Sequence, residues 1–173
     1  MFVNNYLTQQ NICYGRGPFL IGGGQPSKGI RAIENYLYDV NMRIGYNAPY
    51  NEDCEVRDNV IVNGGLEIIR YRSATQSENL IIGKGGPRPK GSKIVLLPNK
   101  YKQNRAHLVV FNWEGLEEVD VPVDGFFADG ERFRLMNPQD VFGEVVCEGI
   151  CQGGIIGAPM RGEFGVFVVL RSG

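Results

Sequence analysis

Histidine and tryptophan each occur once in this 173-residue sequence, as His107 and Trp113. A Ser-His-Asp triad would have to use His107. That residue leads straight into the apolar run Leu108–Phe111, and no G-x-S-x-G is present, so it reads as the start of a strand. Alanine occurs 6 times, against 31 isoleucines and valines, 24 glycines and 14 asparagines. Helices favour alanine and straight chains, whereas strands favour β-branched residues and turns favour Gly and Asn, so the chain reads as mostly β. No run of 18 apolar residues exists, which excludes a membrane-spanning helix. The net charge of -1 argues against a general nucleic-acid binder. The opening MFVNNYLTQQNICYGRG has no basic region, apolar core or cleavage site, so it is no signal peptide. The location follows only if the chain belongs to a longer secreted protein, in which case it is extracellular or periplasmic.

The four cysteines, Cys13, Cys54, Cys147 and Cys151, form no C-x-x-C. A zinc site would need all four, drawn from opposite ends of the chain. A Cys147–Cys151 disulfide is sterically open across a tight turn. Four buried or partly buried free thiols is the simplest reading, and no metal or cofactor is expected. Gly22-Gly23-Gly24 lacks the Lys-Ser/Thr and the helix of a phosphate loop, so it reads as a turn.

What the chain has in quantity is a repeat. Asn5-Tyr-Leu-Thr, Asn35-Tyr-Leu-Tyr, Asn59-Val-Ile-Val and Asn79-Leu-Ile-Ile each put Asn before a short apolar strand, at spacings of 30, 24 and 20 residues. Glu34, Asp58 and Glu78 precede three of them. Such a period predicts stacked coils with equivalent asparagines in a ladder, the Asn itself taking left-handed backbone at the bend. Leu7, Leu37, Val60, Val62, Leu80 and Ile82 are expected to point inward. Further strands are expected at Phe19–Ile21, Met42–Ile44 and Leu66–Ile69, and at Ile30–Ile33 and Glu55–Arg57. The opening strand is expected at Phe2–Leu7.

Residues 83 to 93, GKGGPRPKGSK, break helix and strand alike. The boundary is expected near Gly85–Gly91, with coils over residues 1–86, a linker over 87–93 and a second domain over 94–173. Lys84 to Arg105 holds seven basic residues and no acidic one, while Ala106 to Gly173 holds 11 acidic and four basic. The basic stretch is expected to pack beside an acidic face or to receive a polyanion. Seven short apolar runs from Ile94 to Leu170, separated by Gly, Pro and Asn turns, predict an antiparallel β-sandwich or Greek-key domain. The fold class is therefore all-β: a short right-handed parallel β-helix, then a β-sandwich.

The residues Glu34-Asn35-Tyr36-Leu37, Asp58 to Gly64 and Glu78 to Gly83 resemble the last coils of the pectate-lyase-like superfamily of right-handed parallel β-helices. The second half is similar to the accessory β-sandwich of many glycosidases, on strand rhythm and on the run Gly162-Glu-Phe-Gly-Val-Phe-Val-Val-Leu. The resemblance implies a polysaccharide as partner, acidic in one version. It also implies, for active members, a calcium-binding acidic set or grouped carboxylates. Neither set is visible; Glu52, Asp53 and Glu55 read as a solvated loop, and no catalytic residue is assigned. The expected function is a carbohydrate-associated, non-catalytic segment. The alternatives are a polysaccharide lyase or glycosidase acting along the coils, and a structural module without sugar binding.

Candidate sugar contacts are Arg43, Tyr46, Arg70, Tyr71, Arg72 and Trp113, because aromatic faces stack on pyranose rings and guanidinium groups grip carboxylates or sulfates. Alternation over 66–72 sets Leu66, Ile68 and Arg70 on one face and Glu67, Ile69 and Tyr71 on the other. An unprotected first coil predicts a homodimer through the N-terminal end.

Overall fold

The computed structural model describes residues 3–46 and 50–172, and every regular element among them is a strand. The chain divides into two compact units, Met1–Arg88 and Pro89–Gly173, each with its own hydrophobic cluster.

The first unit is a parallel β-solenoid. Its strands are β1 (Val3–Asn4), β2 (Leu7–Gln9), β3 (Ile12–Tyr14), β4 (Phe19–Ile21), β5 (Ser27–Lys28), β6 (Ile30–Ile33), β7 (Tyr36–Tyr38), β8 (Met42–Ile44), β9 (Asn51–Arg57), β10 (Val60–Val62), β11 (Leu66–Ile68), β12 (Tyr71–Ser77) and β13 (Leu80–Ile82). Three parallel sheets form its walls: β2-β6-β9-β12, β3-β7-β10-β13 and β4-β8-β11. The small β1–β5 pair stands beside them. Of the expected opening strand Phe2–Leu7, Phe2 lies outside the described residues, and the remainder is split between β1 and β2.

The repeat has a physical cause at the corner between the first and second sheets. Gln10, Glu34, Asp58 and Glu78 have φ of 55°, 53°, 57° and 52°. Each of Gln10, Glu34 and Asp58 gives its N–H to a carbonyl of the next coil, at 3.3, 3.1 and 3.2 Å. The left-handed residue turns the chain, so the next N–H has no backbone acceptor in reach. That position is asparagine in every coil: Asn11, Asn35, Asn59 and Asn79. The N–H of Asn35 donates to Asn59 Oδ1 at 2.9 Å, and that of Asn59 to Asn79 Oδ1 at 3.1 Å. The side-chain amides run the same way, Asn11 to Asn35 at 2.8 Å, Asn35 to Asn59 at 2.9 Å and Asn59 to Asn79 at 2.8 Å. The buried backbone donor is thereby satisfied, as burial demands.

Two expectations need correction here. The left-handed residue is the one before each asparagine, not the asparagine itself. The first copy is Gln10-Asn11, not Asn5, so the spacings are 24, 24 and 20. Asn5 has φ of 55° but lies outside the ladder.

Strand phase also differs from expectation. The interior row of the second sheet is Cys13, Leu37 and Ile61, paired in register, and Ile61 is fully buried. Val60 and Val62 flank Ile61 on the other face of β10, as Leu80 and Ile82 flank Ile81 on β13. Leu7 points outward and is 44% exposed, because Thr8 is the inward residue of β2. The interior is closed by Ile30, Ala32, Cys54 and Val56 from the first sheet and by Met42 and Ile44 from the third. Burying each large aliphatic side chain is worth about 1.5–3 kcal/mol, and that is the main stabilising term.

The second unit holds β14 (Ser92–Pro98), β15 (Arg105–Asn112), β16 (Glu118–Pro122), β17 (Arg132–Asn137), β18 (Asp140–Ile150), β19 (Ile155–Pro159) and β20 (Phe164–Ser172). They make an antiparallel sheet ordered β14-β15-β20-β17-β18 and a second of β16-β19. Leu108 and Val110 of β15, Leu135 of β17 and Phe167 and Val169 of β20 share one core with Val121 of β16 and Ile156 of β19. The apolar runs at Leu108–Phe111 and Gly165–Leu170 lie in the interior strands β15 and β20 of the five-stranded sheet.

Candidate functional site

The first sheet presents one wall of the solenoid to solvent. The parallel register lines up Leu7, Arg31, Glu55 and Thr75 across β2, β6, β9 and β12, and sets Asp53 beside Ser73. Glu52, Asp53 and Glu55 are thus on β9 rather than in a loop. Alternation explains their placement: Cys54 and Val56 go into the core, so Asp53, Glu55 and Arg57 face out. Arg31, Asp53, Glu55, Ser73 and Thr75, together with Asn5 and Gly29, line a groove of about 390 Å3.

Its carboxylates are already engaged. Asp53 Oδ1 accepts the N–H of Gly29 at 3.2 Å, and Glu55 Oε1 accepts Arg57 Nε at 2.9 Å. Arg57 reaches Asp58 as well, so one guanidinium spans two acids. Arg31, Ser73 and Thr75 complete a polar row on three successive coils.

Beneath the groove, burial and then the charge of Asp53 push the Cys54 thiol from 9.0 up to about 11. All four thiols are free, Cys54 and Cys151 buried, Cys13 and Cys147 half-buried. Alkylation at mildly alkaline pH should therefore label Cys13 and Cys147 well before the other two. An unfolded Cys54 ionises at lower pH than the folded one. Its contribution to stability should be complete below 9.0 and fade as pH rises toward 11. Urea unfolding over that window should show a shallower decline in Cys54→Ala than in the parent; equal slopes would remove the linkage.

The residues expected to contact sugar are not gathered in one place. Arg43 faces out from β8 and pairs through Nε with Glu67 Oε2 at 2.8 Å, on the adjacent strand of the third sheet. Tyr46 follows that strand and is 43% exposed. The alternation expected through 66–72 breaks at Arg70, whose φ is 55°. Tyr71 consequently turns inward, packs on the solenoid core and bonds Ser27 Oγ through its hydroxyl at 2.7 Å. Ser27 also donates to Asn51 Oδ1 at 2.9 Å, which makes a buried polar corner rather than a sugar platform. Arg72 lies on β12 and pairs with Glu52 at 3.3 Å. Trp113 belongs to the other unit, half-buried and tilted 31° to Phe111 at 6.2 Å. His107 is on β15, and burial followed by the charge of Arg105 pushes its pKa down.

The groove residues Arg31, Ser73 and Thr75 escaped sequence reasoning, although a signal was there. The offsets of 24 and 20 that separate successive ladder asparagines also lead from Arg31 to Glu55 and on to Thr75. Among the described residues, no group of three or more His, Cys, Asp or Glu could hold a metal ion. No family model, curated protein or solved structure matches this chain.

Proposed function

We propose that the outer face of the first sheet binds a polysaccharide without cleaving it. The observation that carries this reading is the polar row Arg31–Glu55–Thr75, with Asp53 and Ser73 beside it, running across three coils. Strands about 4.8 Å apart repeat at close to the length of one sugar residue in an extended chain. Guanidinium, carboxylate and hydroxyl groups at that repeat match sugar hydroxyls, which both donate and accept. Two carboxylates against one guanidinium, that of Arg31, which has no ion pair among the described residues, favour a neutral chain over a uronate.

Non-catalytic binding fits the carboxylates' existing bonds to Gly29 and Arg57, which hold them in fixed structural roles. The glycosidase alternative has one observation in its favour. Asp53 and Glu55 share a strand face two residues apart, so two carboxyl groups line the same groove, the residue types an acid–base pair uses.

Affinity electrophoresis against neutral β-glucan, xylan and galactomannan, with polygalacturonate alongside, tests the reading. Retardation by a neutral chain is expected, weakened about tenfold, or about 1.4 kcal/mol, in Arg31→Ala/Thr75→Val with melting unchanged. Release of reducing ends would favour the hydrolase. Retardation by none of the four, or equal retardation of the variant, would leave the groove without this function.

A further inference from the structure

A second surface concerns self-association. The β17–β18 hairpin ends in a flared tip. Asn137 pairs with Asp140 and Met136 with Val145, so residues 141–144 bulge out between the two pairs. The tip has a built shape. A Cβ at Gly143 would stand 2.2 Å from Asp140 Oδ2, and the N–H of Gln139 bonds Asn137 Oδ1 at 2.9 Å. At its apex Phe142 is 101% exposed, with Val145 and Val146 exposed behind it. A fully solvated phenylalanine on a shaped tip forgoes the burial that its ring would otherwise gain.

The first coil offers a matching cavity. A cleft of about 410 Å3 has Gly22–Gly24 as its floor and Tyr6, Leu20 and Ile30 as its walls. Tyr6 and Leu20 are 52% and 42% exposed. The cleft combines apolar side chains with exposed glycine backbone, and Gln25 and Ser27 also line it, a setting that takes an aromatic ring. Charge complements shape. From Val3 to Glu34 the chain carries Arg16, Lys28 and Arg31 against the single acid Glu34, while the hairpin tip from Asn137 to Val146 carries Asp140 and Glu144 and no basic residue. Opposed patches of this kind steer encounter and fix orientation.

We propose that Phe142 of one copy docks in the first-coil cleft of a second copy, with the acidic hairpin tip against the basic coil. Reciprocal docking closes a two-fold pair, and one-way docking adds copies in a row. The acidic residues and the bulges of β18 keep its edge from pairing with another β18, so association runs through the side chain.

Sedimentation velocity of the whole chain between roughly 1 and 200 µM tests this. Average mass is expected to rise with concentration at low salt and to fall back toward 19.2 kDa as salt screens the patches. Phe142→Ser removes the knob. Gly23→Trp fills the cleft from the other side, where a Cβ meets nothing within 4 Å. Both variants should stay monomeric across the range with unchanged melting. A monomeric parent, or association persisting in either variant, would overturn the proposal.

Discussion

Replacing Asn59 by valine should destabilise the solenoid by about 4 kcal/mol, two groups at roughly 1–3 kcal/mol each being left without partners in a dry corner. Asn59 is fully buried. Its Oδ1 is the acceptor for both the N–H and the side-chain amide of Asn35. Its own amide reaches Asn79 Oδ1 and the carbonyls of Ala32 and Arg57, at 2.8, 2.9 and 2.9 Å. Valine fits the volume and supplies none of these bonds. The effect comes from hydrogen bonding rather than backbone strain, and the neighbouring position separates the two. Asp58 holds the left-handed φ of 57°. Asp58→Gly should therefore be neutral or slightly stabilising, because glycine visits that region freely, despite the lost ion pair with Arg57. Urea unfolding checks both. A loss below about 1 kcal/mol for Asn59→Val would mean that water or relaxation rescues the ladder.

Gly45→Ala should cost about 3 kcal/mol or more, the upper range for a single methyl group. Gly45 stands at the corner between the third and first sheets with φ of 92°, a backbone that side chains rarely adopt. A Cβ there would lie 2.2 Å from the carbonyl oxygen of Ile69, a backbone atom held by its own coil. The coils are in near contact at this point, since the N–H of Gly45 donates to Ile21 O and that of Ile69 to Ile44 O, at 2.8 and 2.7 Å. Relief would require the third coil to lift away from the second. Gly23→Ala provides the contrast, with ordinary φ and nothing within 4 Å, and should stay within about 0.5 kcal/mol of the parent. Similar thermal midpoints for the two variants would contradict the close packing of this corner.

The coils are legible because asparagine recurs where a buried N–H must be satisfied by a side chain that also donates to the next coil. Asn5-Tyr-Leu-Thr imitates the motif, whereas the true first copy has Gln10 in place of an acid. The turn needs a left-handed backbone and not a charge, so glutamine serves. The facing of Val60-Ile61-Val62 was unreadable in the sequence, since three apolar residues in a row carry no alternation. Strand alternation carried through Arg70 puts Tyr71 on the outside, and nothing in an arginine announces left-handed backbone. The groove depends on register between coils, which only the corrected ladder spacing defines.

That register is tested most directly by amide hydrogen exchange in Asn59→Ala. The ladder is polar: each asparagine serves as acceptor for the coil before it. Losing the Asn59 side chain should speed exchange of the Asn35 N–H, whose acceptor is gone. It should spare the Leu80 N–H, which donates to the Asn59 backbone carbonyl at 2.8 Å. Strong acceleration at Asn35 with protection retained at Leu80 is the predicted result. Equal acceleration at both positions, or none at Asn35, would contradict the stacked asparagine ladder, and with it the alignment of Arg31, Glu55 and Thr75.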